Sequence, residues 1–134
     1  MAEHTTQPLQ VELVAADRLV WSGEASMVIA RTTEGDVGIL PGHAPMLSVI
    51  IEGVVDVQTP DGETWVAAVD AGFLSVANNR VSILSEHAEM SHEIDLEKAR
   101  QELERAKSSG EDDDAAQEAV RRAEARVRAV ERAS

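Results

Sequence analysis

Two arginines four residues apart, Arg122 and Arg126, are the side chains whose type and spacing most invite a chemical reading. On a helix they share one face, where like charges at i and i+4 cost about a few tenths of a kcal/mol unless something anionic compensates them. Arg122 has Glu118 one turn back, whereas Arg126 has no acid three or four positions away on either side. It is therefore open to a phosphate, a partner's carboxylate or water. His87 and His92 bracket Glu89 and raise the question of a metal. Five residues apart, they point to opposite faces of a strand and fit a helix no better, so no metal site is expected. The chain has no GxxxxGK[ST] phosphate loop, no GxSxG elbow, no HExxH, and no serine with His and Asp in local context. It also has no cysteine for nucleophilic attack, zinc binding or a disulfide. A protein without catalysis of its own is the reading.

Composition narrows the classes of partner. The 134 residues carry a formal charge of −13, a sign that repels phosphate backbones and anionic headgroups, so no nucleic acid is expected. Only Trp21, Trp65 and Phe73 are aromatic, which leaves no stacking platform for single strands and a core of Val, Ile, Leu and Ala. No stretch approaches the roughly 20 apolar residues that span a bilayer, and no leader pattern opens the chain. Direct lipid insertion is not expected, and a cytoplasmic setting is. Charge is unevenly spread: residues 1–93 hold three arginines against fourteen acids, and residues 94–134 hold nine basic residues against eleven acids.

The elements that must position these side chains follow from periodicity. Short runs rich in Val and Ile predict strands at 9–15, 20–21, 26–31, 37–40, 47–51, 54–59, 63–69, 73–76 and 81–84, enough for two packed sheets. Pro60-Asp61-Gly62 suits one tight turn, and Asn78-Asn79, tolerant of left-handed backbone, suits another. After Ile94 the apolar period lengthens from two to about three and a half. Asp95 stands at an N-cap, followed by a seam of Leu96, Ala99, Leu103 and Ala106. Ser108-Ser109-Gly110 stops that helix, and the acids Glu111, Asp112, Asp113 and Asp114 favour the positive end of a second. The second seam, Ala116, Val120, Ala123, Val127 and Val130, has coiled-coil spacing. The fold expected is α+β and mainly β. A sandwich of nine to ten strands fills 1–93, and an antiparallel helical hairpin fills 94–134. Seams of alanine bury little area, and at roughly 25 cal/mol per Å² they pair weakly, so the hairpin is expected to open before the sandwich unfolds.

The segment Gly35-Asp36-Val37-Gly38-Ile39-Leu40-Pro41-Gly42-His43-Ala44-Pro45-Met46-Leu47 reads physically as a rigid strand-turn-strand corner. It also resembles the GILPGHAPL hallmark of bacterial ATP synthase epsilon subunits, with Met46 in place of the final leucine. Ala71-Gly72-Phe73-Leu74-Ser75-Val76 is similar to that family's GGFLEV strand, and Ile94-Asp95 opens a hairpin ending in an Arg/Ala-rich helix. Together these matches cover essentially the whole chain in order.

The resemblance implies a non-catalytic central-stalk subunit of the proton-translocating enzyme. It would dock on the gamma subunit and the ring of c subunits at the cytoplasmic face of the membrane, with a hairpin able to reach the alpha/beta hexamer and hinder ATP hydrolysis. By position, Asp36 corresponds to the acidic residue facing the c ring, and His43 to the approach to gamma. Regulatory ATP is implied by the family's Ile/Leu-Asp-x-x-Arg-Ala motif, here Ile94, Asp95, Lys98 and Ala99, with Glu89, Arg122 and Arg126. Lys98 keeps the motif's charge but lacks the planar fork that grips phosphate. The competing reading is a free-standing ligand-binding sandwich that dimerises through its hairpin.

Overall fold

The computed structural model describes residues 7–108 and 113–133; His4 and the expected helix stop and acidic run at Ser109, Gly110, Glu111 and Asp112 lie outside the described residues. Ten strands precede two helices: β1 (Leu9–Ala15), β2 (Leu19–Ala25), β3 (Met27–Thr32), β4 (Gly35–Ile39), β5 (Met46–Ile50), β6 (Gly53–Gln58), β7 (Thr64–Val69), β8 (Gly72–Ala77), β9 (Arg80–Ser85), β10 (Ala88–Met90), then α1 (Leu96–Lys107) and α2 (Asp114–Ala133). A 3-10 turn at Ser91–Glu93 joins the two parts.

Alternation along the strands builds the inner core, because successive side chains point to opposite faces. In β1, Leu9, Val11, Leu13 and Ala15 are buried while Gln10 and Glu12 are exposed. They pack with Val28, Ile39, Ile50, Leu74, Val76, Val81 and Ile83 from the other strands. The ladder runs β10-β7-β6-β3-β5-β8-β9-β1-β2, with β4 on β3. The expected pair of sheets is therefore one continuous path folded over on itself, its two layers joined where Thr32 of β3 pairs with Ile50 of β5. Two strands differ from expectation. β2 is longer than 20–21 because Ser22, Gly23 and Glu24, polar as they are, pair along β1. β10 is too short to show a period and exists through its pairing with β7. Asn78 and Asn79 both take positive φ, 52° and 61°, which closes the tight β8–β9 turn.

At the start of α1 the Asp95 carboxylate accepts from the Lys98 N–H at 3.2 Å, an N-cap as expected. Ala106, Ala119 and Ala123 line the groove between the helices. The expected seam gives α2 one apolar face, and the structure shows a second. Ala125 and Ala129 are buried against Val54 of β6 and Val66 and Ala68 of β7, together with Ile94 and Ala99. The hairpin thus lies on the outer face of the β6–β7 layer, with α2 between α1 and the sandwich. Val127 and Val130 pack against the same cluster, and the small alanine side chains let the helix approach the sheet closely while burying little area each.

Candidate functional site

Polar side chains on α2 complete this contact. Arg121 Nε donates to Glu52 at 2.9 Å, Arg122 Nε to Asp70 at 2.9 Å, Arg126 Nε to Glu89 at 2.8 Å, and Arg132 Nη1 to Asp56 at 2.7 Å. Each carboxylate belongs to the acid-rich first part of the chain, and each cation to the basic last part. Glu52, Asp70 and Asp56 keep 10% or less of their side-chain surface, while the three arginines facing them are 41–48% exposed. Burial pushes the Asp70 carboxyl above its ordinary range, against the pull of Arg122. The hydrogen bond to Glu52 raises the Arg121 guanidinium.

Arg126 is the node of this strap. Burial works against its charge, yet Glu89 and Glu102 hold it protonated more firmly than usual. Its Nη1 donates to Glu102 of α1 while Nε reaches Glu89 of β10, so one side chain ties three elements together. Its partners in this structure are carboxylates of the same chain, distant in sequence and so outside i±3 and i±4 spacing.

Glu89, Arg122 and Arg126 come together with Asp70, His87 and Arg18 around a cavity of about 290 Å³. The rest of the expected nucleotide set lies elsewhere. Ile94 and Ala99 are buried in the apolar contact beneath the hairpin, Asp95 caps α1, and Lys98 is exposed and does not line the cavity. His92 stands edge-on to Trp65 with ring centroids 6.0 Å apart, and no metal-holding cluster of His, Cys, Asp or Glu occurs among the described residues.

The opposite layer carries a different surface. Val49 of β5 pairs with Phe73 of β8, Phe73 with Leu84 of β9, and Leu84 with Val14 of β1. Val49, Phe73 and Leu84 are 47%, 53% and 50% exposed, forming an apolar row across the sheet. Single exposed apolar residues are ordinary, whereas a contiguous row is the form that interaction surfaces take. The sequence does hold the signal: Val49-Ile50, Phe73-Leu74 and Ile83-Leu84 are adjacent apolar pairs, and in a strand one of each pair must face out. Leu47, 72% exposed, extends the patch toward the corner that carries His43. There His43 Nδ1 donates to the Ala44 carbonyl at 2.7 Å, and the Gly42 N–H donates to Asn79 Oδ1 at 2.7 Å. Asp36, exposed at the end of the β3–β4 hairpin, accepts from Arg31 at 3.1 Å.

A β-sandwich of this topology with a strapped helical hairpin defines a class, and comparison with known proteins identifies it. Residues 8–91 match the family described as ATP synthase, delta/epsilon chain, beta-sandwich domain. The chain is 58% identical to the ATP synthase epsilon chain of Streptomyces avermitilis over 122 residues, 91% of this chain and 94% of that one. It is 50% identical to the epsilon chain of Rhodococcus opacus over 134 residues, 99% and 100% of the two. In the Euglena gracilis mitochondrial ATP synthase, solved with OSCP, F1 and c-ring, one chain aligns with a TM-score of 0.77 at 25% identity, covering 98% of this chain and 84% of that one. A chain of the central stalk and c-ring of Tetrahymena thermophila mitochondrial ATP synthase shares the fold with a TM-score of 0.60 at 18% identity, covering 96% and 97%. This chain therefore belongs to the family of epsilon chains of F-type ATP synthase, non-catalytic subunits of the complex. The reading as a free-standing ligand-binding sandwich that dimerises through its hairpin is not favoured. The face of α2 it would use is covered by β6, β7 and α1 of the same chain.

Proposed function

We propose that the chain turns with the central stalk, its sandwich docked on gamma and the c ring, and that its hairpin leaves the sandwich to reach the alpha/beta hexamer and hinder ATP hydrolysis. Proton-driven rotation is then coupled to ATP synthesis through the sandwich, and regulation resides in the helices. The observation that carries this reading is the contrast between the two outer faces. One bears the exposed row Leu84, Phe73 and Val49, continued by the half-buried Val14, suited to permanent docking on gamma. The other is covered by a helix held with alanines and ion pairs, suited to release. Asp36, on an exposed hairpin end, is the acid offered to the c ring, and His43 adjoins the gamma face. No helix among the described residues is long and apolar enough to cross a membrane. Within this proposal the subunit is peripheral, at the cytoplasmic face and reached through its partners.

The test is Phe73→Glu together with Val49→Glu. Burying new charges in an apolar interface opposes association, so co-purification with gamma is expected to be lost while the isolated chain stays folded. Retention of gamma by the doubly charged variant sinks this assignment of the docking face.

The proposal extends to nucleotide. The cavity bounded by Glu89, Arg122 and Arg126 lies near the lower edge of the roughly 300–1,000 Å³ typical of ligand sites, and a phosphate entering it must displace Glu89 or Glu102 from Arg126. ATP binding by the closed hairpin is thus expected to be weak and to vanish in Arg126→Ala. Calorimetry on the full chain with and without magnesium measures it, and ATP affinity unchanged by Arg126→Ala rules this cavity out.

A further inference from the structure

In β6 every residue from Gly53 to Val57 is buried, and Asp56 is the one polar residue among them. It shares with Val54 the face that α2 covers and is only 8% exposed. Its Oδ2 accepts from Arg132 Nη1 at 2.7 Å, and that guanidinium, in the last turn of α2, is 46% exposed. Its Oδ1 has no hydrogen-bond partner within the chain and is the one such buried side-chain atom among the described residues. Glu52 and Asp70, equally buried under the same helix, carry no such atom. The feature is specific to this position and not general to the strap.

A buried carboxylate tolerates its surroundings only through its partner. Removing that partner alone leaves an uncompensated charge, whereas exchanging the pair for apolar side chains of similar size is neutral or stabilising. A valine at 56 would continue the Val54 and Val66 surface beneath α2. Asp56 instead leaves half of a carboxylate dry whenever the hairpin is down, and lifting α2 hydrates both oxygens. Resting on the reading of the hairpin as a mobile element, we propose that the Asp56–Arg132 pair is its release element. The half-satisfied pair fixes where the end of α2 sits on the sandwich. It also holds the closed population below what plain apolar packing would give.

The chain has no cysteine, so Ala68→Cys places a single thiol on β7 beneath α2, where residue 68 is 5% exposed. Its labelling rate by a maleimide in the full chain reports the open fraction. Arg132→Leu is expected to raise that rate on the order of tenfold, because Asp56 is then dry and unpaired. Asp56→Val, alone or with Arg132→Leu, is expected to lower it below the parent rate by a similar factor, a reversal of sign that loss of one attractive contact cannot produce. Rising ionic strength is expected to speed labelling of the parent more than of the double variant. If Arg132→Leu speeds labelling and the double variant speeds it equally, Asp56 is not the release element, while the mobile hairpin stands. If the thiol stays unreactive in every variant at every salt concentration, the hairpin does not lift, and both readings fall.

Discussion

Arg126 joins α1, α2 and β10 through two carboxylates, so its truncation to alanine tests whether the strap or the alanine packing holds the hairpin down. The guanidinium is 21% exposed, and Glu89 and Glu102 are 37% and 38% exposed. A fully buried pair broken on one side would cost about 3–5 kcal/mol, but both acids reach water and rehydrate, which discounts the loss to about 1–2 kcal/mol. Two carboxylates left facing each other without a cation add to the effect in the same direction. Native-state hydrogen exchange resolves where that loss falls. Amides of α2 are expected to exchange about 5–30-fold faster in Arg126→Ala, while those of β1, β8 and β9, remote from the helix, keep their rates. Unchanged exchange in α2 would mean that the ion pairs are ornamental. Equal acceleration of the distant strands would mean that hairpin and sandwich open as one unit, and the separation of roles argued from their two faces would be lost.

Two further outcomes follow from local geometry and charge. A Cβ at Gly72 would lie 1.8 Å from the Leu84 carbonyl oxygen, a backbone atom that cannot yield without parting β8 from β9, whereas one at Gly38 meets nothing within 4 Å. In urea unfolding, Gly72→Ala is expected to lose about 3 kcal/mol or more and Gly38→Ala to stay within about 0.5 kcal/mol; similar midpoints for the two contradict the packing described. Asp70 binds its proton more tightly folded than unfolded, so it disfavours the folded state at neutral pH and gives that back as pH falls. Glu93, whose carboxyl is held low by Arg18 and then by the Met90 N–H, stabilises at neutral pH and loses this in acid. Asp70→Asn removes the opposing contribution, so stability is expected to fall more steeply in the variant than in the parent from about pH 6 to about pH 4. Parallel curves would refute the assignment.

Much of this fold is legible in residue patterns because strands and helices are local. Alternation in β1, the Asn78-Asn79 turn and the Asp95 cap each follow from residues within a few positions of one another. Val54-Val55 and the run from Val66 to Val69 lack the alternation of a strand with one face in water. Val49-Ile50 and Phe73-Leu74 lack it as well and their outer face is exposed, so the pattern does not by itself assign α2 as the cover or announce the burial of Ala125 and Ala129. The candidate site was less accessible. Arg126 meets Glu89 across 37 positions and Arg132 meets Asp56 across 76. Pairings at that range are products of topology, not of spacing. The uneven charge of the two parts announced that such pairs would form, without saying which. Of the motif residues, Asp95 caps α1 and Ile94 and Ala99 enter the apolar packing, placements that follow from the fold and not from the motif's spacing.

Deleting residues 94–134 within the assembled ATP synthase tests the central claim most directly. The truncated chain, which keeps the row from Val14 to Val49 and loses the whole strap, is expected to stay with gamma and the c ring while ATP hydrolysis by the complex rises. Loss of the subunit from the complex, or hydrolysis unchanged by the deletion, would contradict the account.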